Sequence, residues 1–216
     1  MGLTRDVTFP TPDGLTLEGV LHLPPSTPGP GAVVCHPHPL YGGDMHNNVV
    51  VALCRALAAR GIAVLRFNFR GVGRSQGAFG DGAGEQQDAA AALAFLRSLP
   101  ELDTERLALA GYSFGAAVAL LAAGGQGLRA VVGVSVPTIA RGLPELSLSC
   151  PVLLVVGERD EVAPPPRLAG LASLLGPAAR VEVVPGADHF WWGHEGALAA
   201  LVGDFLAGHL APAAPK

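Results

Sequence analysis

The sequence is short of cysteine, and this shortage excludes a disulfide-stabilised fold. Cysteine occurs three times, at Cys35, Cys54 and Cys150, and each copy is embedded in apolar residues. An odd, small number of such cysteines does not form a disulfide framework and is typical of a protein that keeps its thiols reduced. We therefore expect buried thiols and a cytoplasmic location.

Clustered positive charge and long apolar runs are also missing. The formal net charge is −4 and the sequence contains no basic cluster, so binding to nucleic acid has no electrostatic support. The first residues, MGLTRDVTF, lack the basic and apolar regions of a signal peptide. No uncharged apolar run reaches the roughly 20 residues that span a bilayer. These absences predict neither a nucleic-acid nor a membrane partner, and they leave a homodimer open.

What remains is a composition suited to one large core. The chain has 216 residues, half of them hydrophobic, which predicts a single domain over residues 1–216 with a frayed tail at 210–216. VTFP and LTLEGVLHL flank the turn signal PDG and predict an opening hairpin. Short apolar runs then alternate with helical patterns, which predicts an α/β fold with a mostly parallel sheet and helices on both faces. The predicted helices are Met45–Arg60, Glu85–Leu99, Phe114–Ala123, Arg167–Leu175 and Glu195–His209.

One serine stands where a predicted strand meets a predicted helix. Gly111-Tyr112-Ser113-Phe114-Gly115 matches the G-x-S-x-G nucleophile elbow, which requires this strand-to-helix context. The glycines allow the two backbones to pass closely, and the helix N-terminus offers free N–H groups to a developing negative charge. The pattern predicts that Ser113 is a nucleophile. The alternative is an ordinary tight turn.

A serine hydroxyl needs a base, and the sequence offers a base and an acid at later strand ends. GERD places Asp160 after one predicted strand, and GADHF places His189 after the last one. The order Ser, Asp, His is the order of this class of fold. We expect His189 to take the proton of Ser113 and Asp160 to orient His189. Glu158 and Glu161 are rival acids.

The dense polar segment CHPHPLYGGDMHNN, residues 35–48, has two interpretations. Its histidines, cysteine and aspartate could hold a metal, but their spacing fits no familiar ligand pattern, and we expect no metal. The segment follows the third predicted strand, where this architecture supplies the second oxyanion N–H. The predicted oxyanion donors are the backbone N–H groups of Leu40 and Phe114, with Tyr41 as the alternative to Leu40.

A further glycine-rich segment runs from Phe67 to Glu85. Gly71-x-Gly73 suggests a phosphate loop, but the third glycine is missing at the required spacing and no helix opens at once. We expect a structural loop around Arg70 and Ser75, and contact with the substrate is the alternative.

Taken together, GYSFG, GERD and GADHF resemble the α/β-hydrolase superfamily. HPHPLYGGDMHNNVV and FNFRGVGRSQGAFGDGAGE are similar to a compact bacterial group of esterase-like hydrolases, near the dienelactone-hydrolase-like and serine-aminopeptidase-like branches. The resemblance spans roughly Val7 to Leu210. It implies an eight-stranded α/β-hydrolase fold, a Ser113, Asp160 and His189 triad, and ester hydrolysis without a cofactor. Dienelactone hydrolases themselves carry cysteine at the position of Ser113.

The segment between the sixth and seventh strands, Pro137–Cys150, is too short for the helical lid that many members of the superfamily carry. We therefore expect an open site, with Tyr41, Ile139 and Phe190 in contact with the substrate. Phe190, Trp191 and Trp192 could instead form a packing or association patch. The predicted activity is cleavage of small or short-acyl carboxylic esters. The alternatives are a peptidase or thioesterase with the same triad, and a non-catalytic binding scaffold.

Overall fold

The computed structural model describes residues 2–137, 146 and 148–212. One sheet contains all the described strands, in the spatial order β1-β2-β4-β3-β5-β6-β7-β8. The strands are β1 Leu3–Pro10, β2 Thr16–Leu23, β3 Gly29–Cys35, β4 Ala63–Phe67, β5 Leu102–Tyr112, β6 Ala130–Val134, β7 Val152–Gly157 and β8 Ala179–Val184.

The predicted hairpin and the predicted parallel sheet are both confirmed. β1 pairs with β2 in antiparallel register, with Pro10 opposite Thr16 across the turn. β2 is also antiparallel to β4, and every later pair is parallel. The helices are α1 Asn48–Ala59, α2 Ala83–Arg97, α3 Phe114–Ala122, α4 Pro165–Leu175 and α5 Glu195–His209.

Helices cover both faces of the sheet. In β3, Val33 and Cys35 face a core that also contains the apolar side chains of α2, α3 and α4, whereas Ala32 and Val34 face the core beneath α1 and α5. Successive residues of a strand point to opposite faces, so a strand buried on both sides reads as an uninterrupted apolar run. Within the described residues, none of the helices is long and apolar enough to cross a bilayer.

Local backbone geometry and hydrogen bonds determine where individual elements begin and end. α1 begins at Asn48 rather than Met45, because the side chain of Asn47 caps the helix by accepting the N–H of Val49 at 3.0 Å. β6 ends at Val134, because Ser135 has a left-handed backbone with φ 50°. β6 and β7 then lie too close in sequence for a cap domain, and the lidless α/β-hydrolase fold is confirmed.

Candidate active site

Ser113 lies on a tight turn between β5 and α3. Its φ of 54° and ψ of −121° are unfavourable for a residue with a side chain and mark stored strain. The flanking glycines are needed for close packing, as the motif predicts. A Cβ atom at Gly111 would overlap the carbonyl of Gly115, and one at Gly115 would overlap the carbonyl of His36. Only glycine therefore lets the chain hold Ser113 above the sheet edge.

The structure brings together the three side chains that the sequence predicts. Ser113 Oγ lies 3.1 Å from Nε2 of His189, and Nδ1 of His189 lies 2.9 Å from Oδ2 of Asp160. Since a carboxylate can only accept, Nδ1 of His189 carries the proton and Nε2 is free to accept the serine hydroxyl. Parallel strands end at the same edge of a sheet, so β5, β7 and β8 deliver the three residues to one place.

Asp160 is held as a carboxylate by its surroundings. Burial alone raises the pKa of Asp160, but hydrogen bonds from His189 and from the N–H of Ala163 outweigh it, so this pKa lies below its usual value. The N–H groups of Val162 and Ala163 donate to Oδ1 at 3.0 and 2.7 Å. The group is therefore charged and fixed when it faces His189.

The rival acids lie elsewhere. Glu158 and Glu161 are both exposed, and Oε2 of Glu158 accepts the N–H of Gly186 at 2.9 Å. The loop that carries His189 is anchored separately, because the buried hydroxyl of Tyr112 donates to the carbonyl of His189 at 2.7 Å. Of the three acidic residues near this strand end, Asp160 alone contacts the histidine among the described side chains.

The loop after β3 corrects the prediction for the oxyanion donors. The N–H of Leu40 donates to Nδ1 of His38 at 3.2 Å, and the N–H of Tyr41 donates to the carbonyl of His38 at 3.1 Å. Both groups are used to close the short 3₁₀ helix Pro39–Tyr41. Within the described part of the chain, the N–H groups of His38 and Phe114 have no such acceptor.

The position of this loop beside the elbow is fixed by packing. The imidazole of His38 lies 4.8 Å from the ring of Phe114, between ring centroids, and 5.0 Å from that of Phe79. The carbonyl groups of Cys35 and His36 press against Gly115. The backbone at His38 therefore approaches the helix N-terminus that follows Ser113.

The histidines of this segment have local partners. His36 is fully buried, with Nδ1 2.6 Å from the carbonyl of Pro37 and Nε2 accepting the N–H of Phe69 at 3.0 Å. Nδ1 of His46 lies 3.1 Å from Nη1 of Arg66. Across the described residues, no three His, Cys, Asp or Glu side chains are arranged to hold a metal ion.

The glycine-rich segment after β4 is a structural loop. Arg70 donates to the buried carboxylate of Asp88 at 2.7 Å and to Asp13 at 3.0 Å. Buried Glu85 accepts the N–H groups of Gly80 and Gly82, both at 2.8 Å. These bonds fold the loop so that its Phe79 reaches the rim of the site, a role that the sequence did not indicate.

The predicted substrate contacts have different positions. Tyr41 and Phe190 are exposed by 87% and 59%, and the ring of Phe190 meets that of His189 edge-on at 5.7 Å. Ile139 lies outside the described residues. The aromatic run divides: Trp191 is fully buried and packs in the core, whereas Trp192 is 70% exposed.

Two features of this region were not predicted from the sequence. Ser135 is buried after β6 and accepts the indole N–H of Trp191 at 3.0 Å. The N–H of His38, unlike that of Leu40, has no hydrogen-bond acceptor among the described residues. The only signal for Ser135 was a polar residue at the end of an apolar strand, which is also common at ordinary strand ends.

The strand, tight turn and helix at Ser113, together with His189 and Asp160, define the site of an α/β serine hydrolase. Residues 33–195 match the family described as alpha/beta hydrolase domain. A protein of Rickettsia prowazekii is 35% identical over 195 residues, which cover 86% of this chain and 81% of that protein. The chain therefore belongs to the alpha/beta hydrolase family.

A solved structure and a second relative add detail. An α/β serine hydrolase without a lid from Xanthomonas campestris is 33% identical, with a TM-score of 0.86, and the match covers 98% of this chain and 97% of that one. A protein named as a thiohydrolase in Arthrinium phaeospermum is 36% identical over 127 residues. That match covers 57% of this chain and 40% of the relative.

Proposed function

We propose that the protein is a serine esterase that hydrolyses small or short-acyl carboxylic esters through an acyl-enzyme on Ser113. The observation that carries this proposal is the continuous hydrogen-bonded series from Ser113 through His189 to Asp160. A hydroxyl group in contact with a correctly oriented imidazole is the arrangement that nucleophilic catalysis requires.

Acylation follows from the positions of these groups. Oγ of Ser113 attacks the ester carbonyl carbon while Nε2 of His189 takes the hydroxyl proton, and the carbonyl oxygen becomes an oxyanion. The N–H groups of Phe114 and His38 stabilise that charge. The carbon–oxygen bond to the leaving group then breaks, and His189 returns the proton to the departing alcohol.

Deacylation repeats the sequence with water. Water gives a proton to Nε2 of His189 and attacks the acyl carbon, and the second oxyanion is held by the same N–H groups. Ser113 then leaves with the proton from His189, and the carboxylic acid is released. Each step uses only side chains, backbone groups and water, so the proposed reaction needs no cofactor.

The shape of the rim supports small substrates. Leu40, Tyr41, Phe190 and Trp192 are exposed apolar side chains on the loops that carry the proposed oxyanion donor and His189. Together they offer exposed apolar contact area. A short acyl group can use this area without being enclosed, and we therefore propose small or short-acyl esters as substrates.

Thioester cleavage is the second candidate, because one relative is named as a thiohydrolase. The same nucleophile and base cleave either bond, and fold alone does not choose between them. A direct comparison uses p-nitrophenyl acetate, butyrate and decanoate, the matching acyl thioesters and an aminoacyl p-nitroanilide, with Ser113→Ala as the control.

The proposal predicts the highest kcat/KM for the acetate or butyrate ester and no turnover above background for Ser113→Ala. Preference for thioesters by tenfold or more would move the assignment to the second candidate. Turnover of the anilide alone would indicate a peptidase. Absence of all three activities would indicate a binding scaffold.

A further inference from the structure

The last strand, β8, forms one edge of the sheet. It pairs with β7 on one side, and no described strand pairs with its other side. Its sequence, ARVEVV, contains no proline, its register with β7 is continuous, and Val183 on it is exposed. An open edge of this kind can pair with another strand, and natural proteins usually block it.

The hydrogen bonds to β7 determine which backbone groups of β8 face outward. The carbonyl groups of Ala178 and Val184 accept N–H groups from the two ends of β7, at 2.9 and 3.0 Å. Because successive residues of a strand direct their backbone groups to opposite sides, the even-numbered residues of β8 bond to β7. Val181 and Val183 therefore direct both their N–H and their C=O groups away from the sheet.

The two charged side chains of β8 lie on one face of the strand. Arg180 and Glu182 are two residues apart, so they point to the same face, and both reach the solvent. The guanidinium carbon of Arg180 lies 5.2 Å from the ring centroid of Phe205, which places the charged pair on the α5 face. Val181 points to the opposite face and packs against the core beneath α4.

A second copy of the chain fits this edge in one symmetric register. In an antiparallel pair of identical strands related by a two-fold axis, the axis passes one residue and its own copy. An axis at Val181 places Arg180 opposite the partner's Glu182, twice. An axis at Arg180 or at Glu182 places like charges opposite each other, which is destabilising. An axis at Ala179 or Val183 brings a proline, which has no N–H, into the ladder.

We propose that the protein forms a two-fold symmetric dimer through β8, with Val181 on the axis and the two sheets joined into one. In this register Val181 exchanges two backbone hydrogen bonds with the partner's Val181, and the N–H of Val183 donates to the carbonyl of the partner's Ala179. Arg180 and the partner's Glu182 form a pair without backbone hydrogen bonds, the kind in which opposed side chains lie closest. Charge complementarity therefore selects both the partner and the register.

Charge reversal tests the register, with the dimer dissociation constant measured by sedimentation equilibrium over a concentration series. Arg180→Glu and Glu182→Arg each place like charges opposite each other twice, and we expect each to raise the dissociation constant about tenfold or more. An equimolar mixture of the two variants opposes unlike charges again, so heterodimers should form about as strongly as the wild-type dimer. The double variant Arg180→Glu/Glu182→Arg should restore the homodimer for the same reason.

Two further variants separate strand pairing from a general effect of charge. Val181→Pro removes an N–H that the partner needs and β7 does not, and it should give a monomer that keeps a cooperative thermal transition. Asp6→Arg is the matched control, because it makes the charge change of Glu182→Arg on β1, the opposite edge of the sheet. Arg5 and Asp6 are adjacent and point to opposite faces, so no symmetric register of β1 pairs them. Asp6→Arg should leave the dimer unchanged.

The proposal is overturned if the wild type stays monomeric over the whole concentration series, or if its dimer persists in the three β8 variants, which would place the interface elsewhere. A mixture of Arg180→Glu and Glu182→Arg that stays monomeric refutes the register. Species larger than a dimer would indicate open, head-to-tail pairing of edges and also contradict it. Should Val181→Pro fail to fold, the charge variants and their mixture decide. Dimer formation is measured without substrate, so this result is independent of the proposed ester hydrolysis.

Discussion

Nε2 of His36 accepts a hydrogen bond of 3.0 Å from the backbone N–H of Phe69. This contact ties the end of β3 to the segment after β4, and it requires the proton of the ring to be on Nδ1. Nδ1–H then donates to the carbonyl of Pro37 at 2.6 Å. Because a trans peptide holds its carbonyl and the following N–H on opposite sides, His36 also fixes the direction of the N–H of His38.

His36 makes stability depend on pH. Burial lowers the pKa of His36 from 6.5 to about 4, so the folded protein keeps the ring neutral where the unfolded chain protonates it. The unfolded state binds more protons between these values, and stability therefore falls as the pH drops from 6.5 to 4. The full contribution is on the order of 3 kcal/mol.

We expect urea unfolding of the wild type to show this loss of free energy between pH 6.5 and 4. His36→Asn should be less stable at pH 7 and should lose less stability across the same range. An unchanged slope in His36→Asn would contradict the account of this residue.

Two substitutions distinguish Asp160, the acidic partner of His189, from the neighbouring acid Glu161. Asp160→Asn keeps the shape but favours the wrong tautomer of His189, and we expect kcat to fall about 10⁴-fold, as in comparable triads. Glu161→Gln alters an exposed side chain of the same turn and should leave kcat within twofold (about 0.4 kcal/mol) of the wild type. Equal effects of the two substitutions would rule out the assignment of Asp160.

Substitution by alanine should have opposite effects on stability at two of the glycines. At Gly115 a methyl group would overlap the carbonyls of Cys35 and His36, whereas at Gly170, within α4, it would meet no atom within 4 Å. We expect Gly115→Ala to lower the free energy of unfolding by about 1–3 kcal/mol or more. Gly170→Ala should raise it by about 0.5–1 kcal/mol, since alanine favours the helix. Chemical denaturation measures both, and a stable, fully active Gly115→Ala would refute the close approach.

The ion pair behind the glycine-rich loop should contribute more to stability than an ion pair on the surface. Asp88 is fully buried and bonds to Arg70 at 2.7 Å, whereas Asp204 bonds to Arg60 at 2.6 Å with most of its side chain exposed. Asp88→Asn leaves the buried guanidinium with Asp13 as its remaining charge partner, at the more exposed side of the pair, and should lower the free energy of unfolding by about 3 kcal/mol. Asp204→Asn should cost about 1 kcal/mol or less. Similar losses in both variants would contradict this difference.

The parts of the fold that sequence predicts well are those set by short-range patterns. The apolar runs predict the sheet, and the glycines around Ser113 together with the order Ser113, Asp160, His189 predict three side chains that the structure brings into contact. From the sequence, Asp160 is preferred over Glu158 and Glu161 only because of its position after the strand. The structure supports this preference, because Asp160 contacts His189 directly.

What sequence could not supply depends on contacts between distant segments. The sequence predicts Leu40 as an oxyanion donor because the loop after β3 provides one in this class of fold, but the ring of His38 accepts the N–H of Leu40. The hydrogen bond from Trp191 to Ser135 joins two segments that are 56 residues apart in the chain. Neither contact follows from residue type or spacing.

The central claim is that Ser113 is an activated nucleophile, and labelling with a fluorophosphonate tests it most directly. The wild type is treated with the probe, digested and analysed by mass spectrometry, alongside Ser113→Ala and His189→Ala. The account predicts one adduct, on the peptide containing Ser113, which is absent in Ser113→Ala and forms at least 10³-fold more slowly in His189→Ala. No adduct in the folded wild type, or an adduct on another residue, would contradict it.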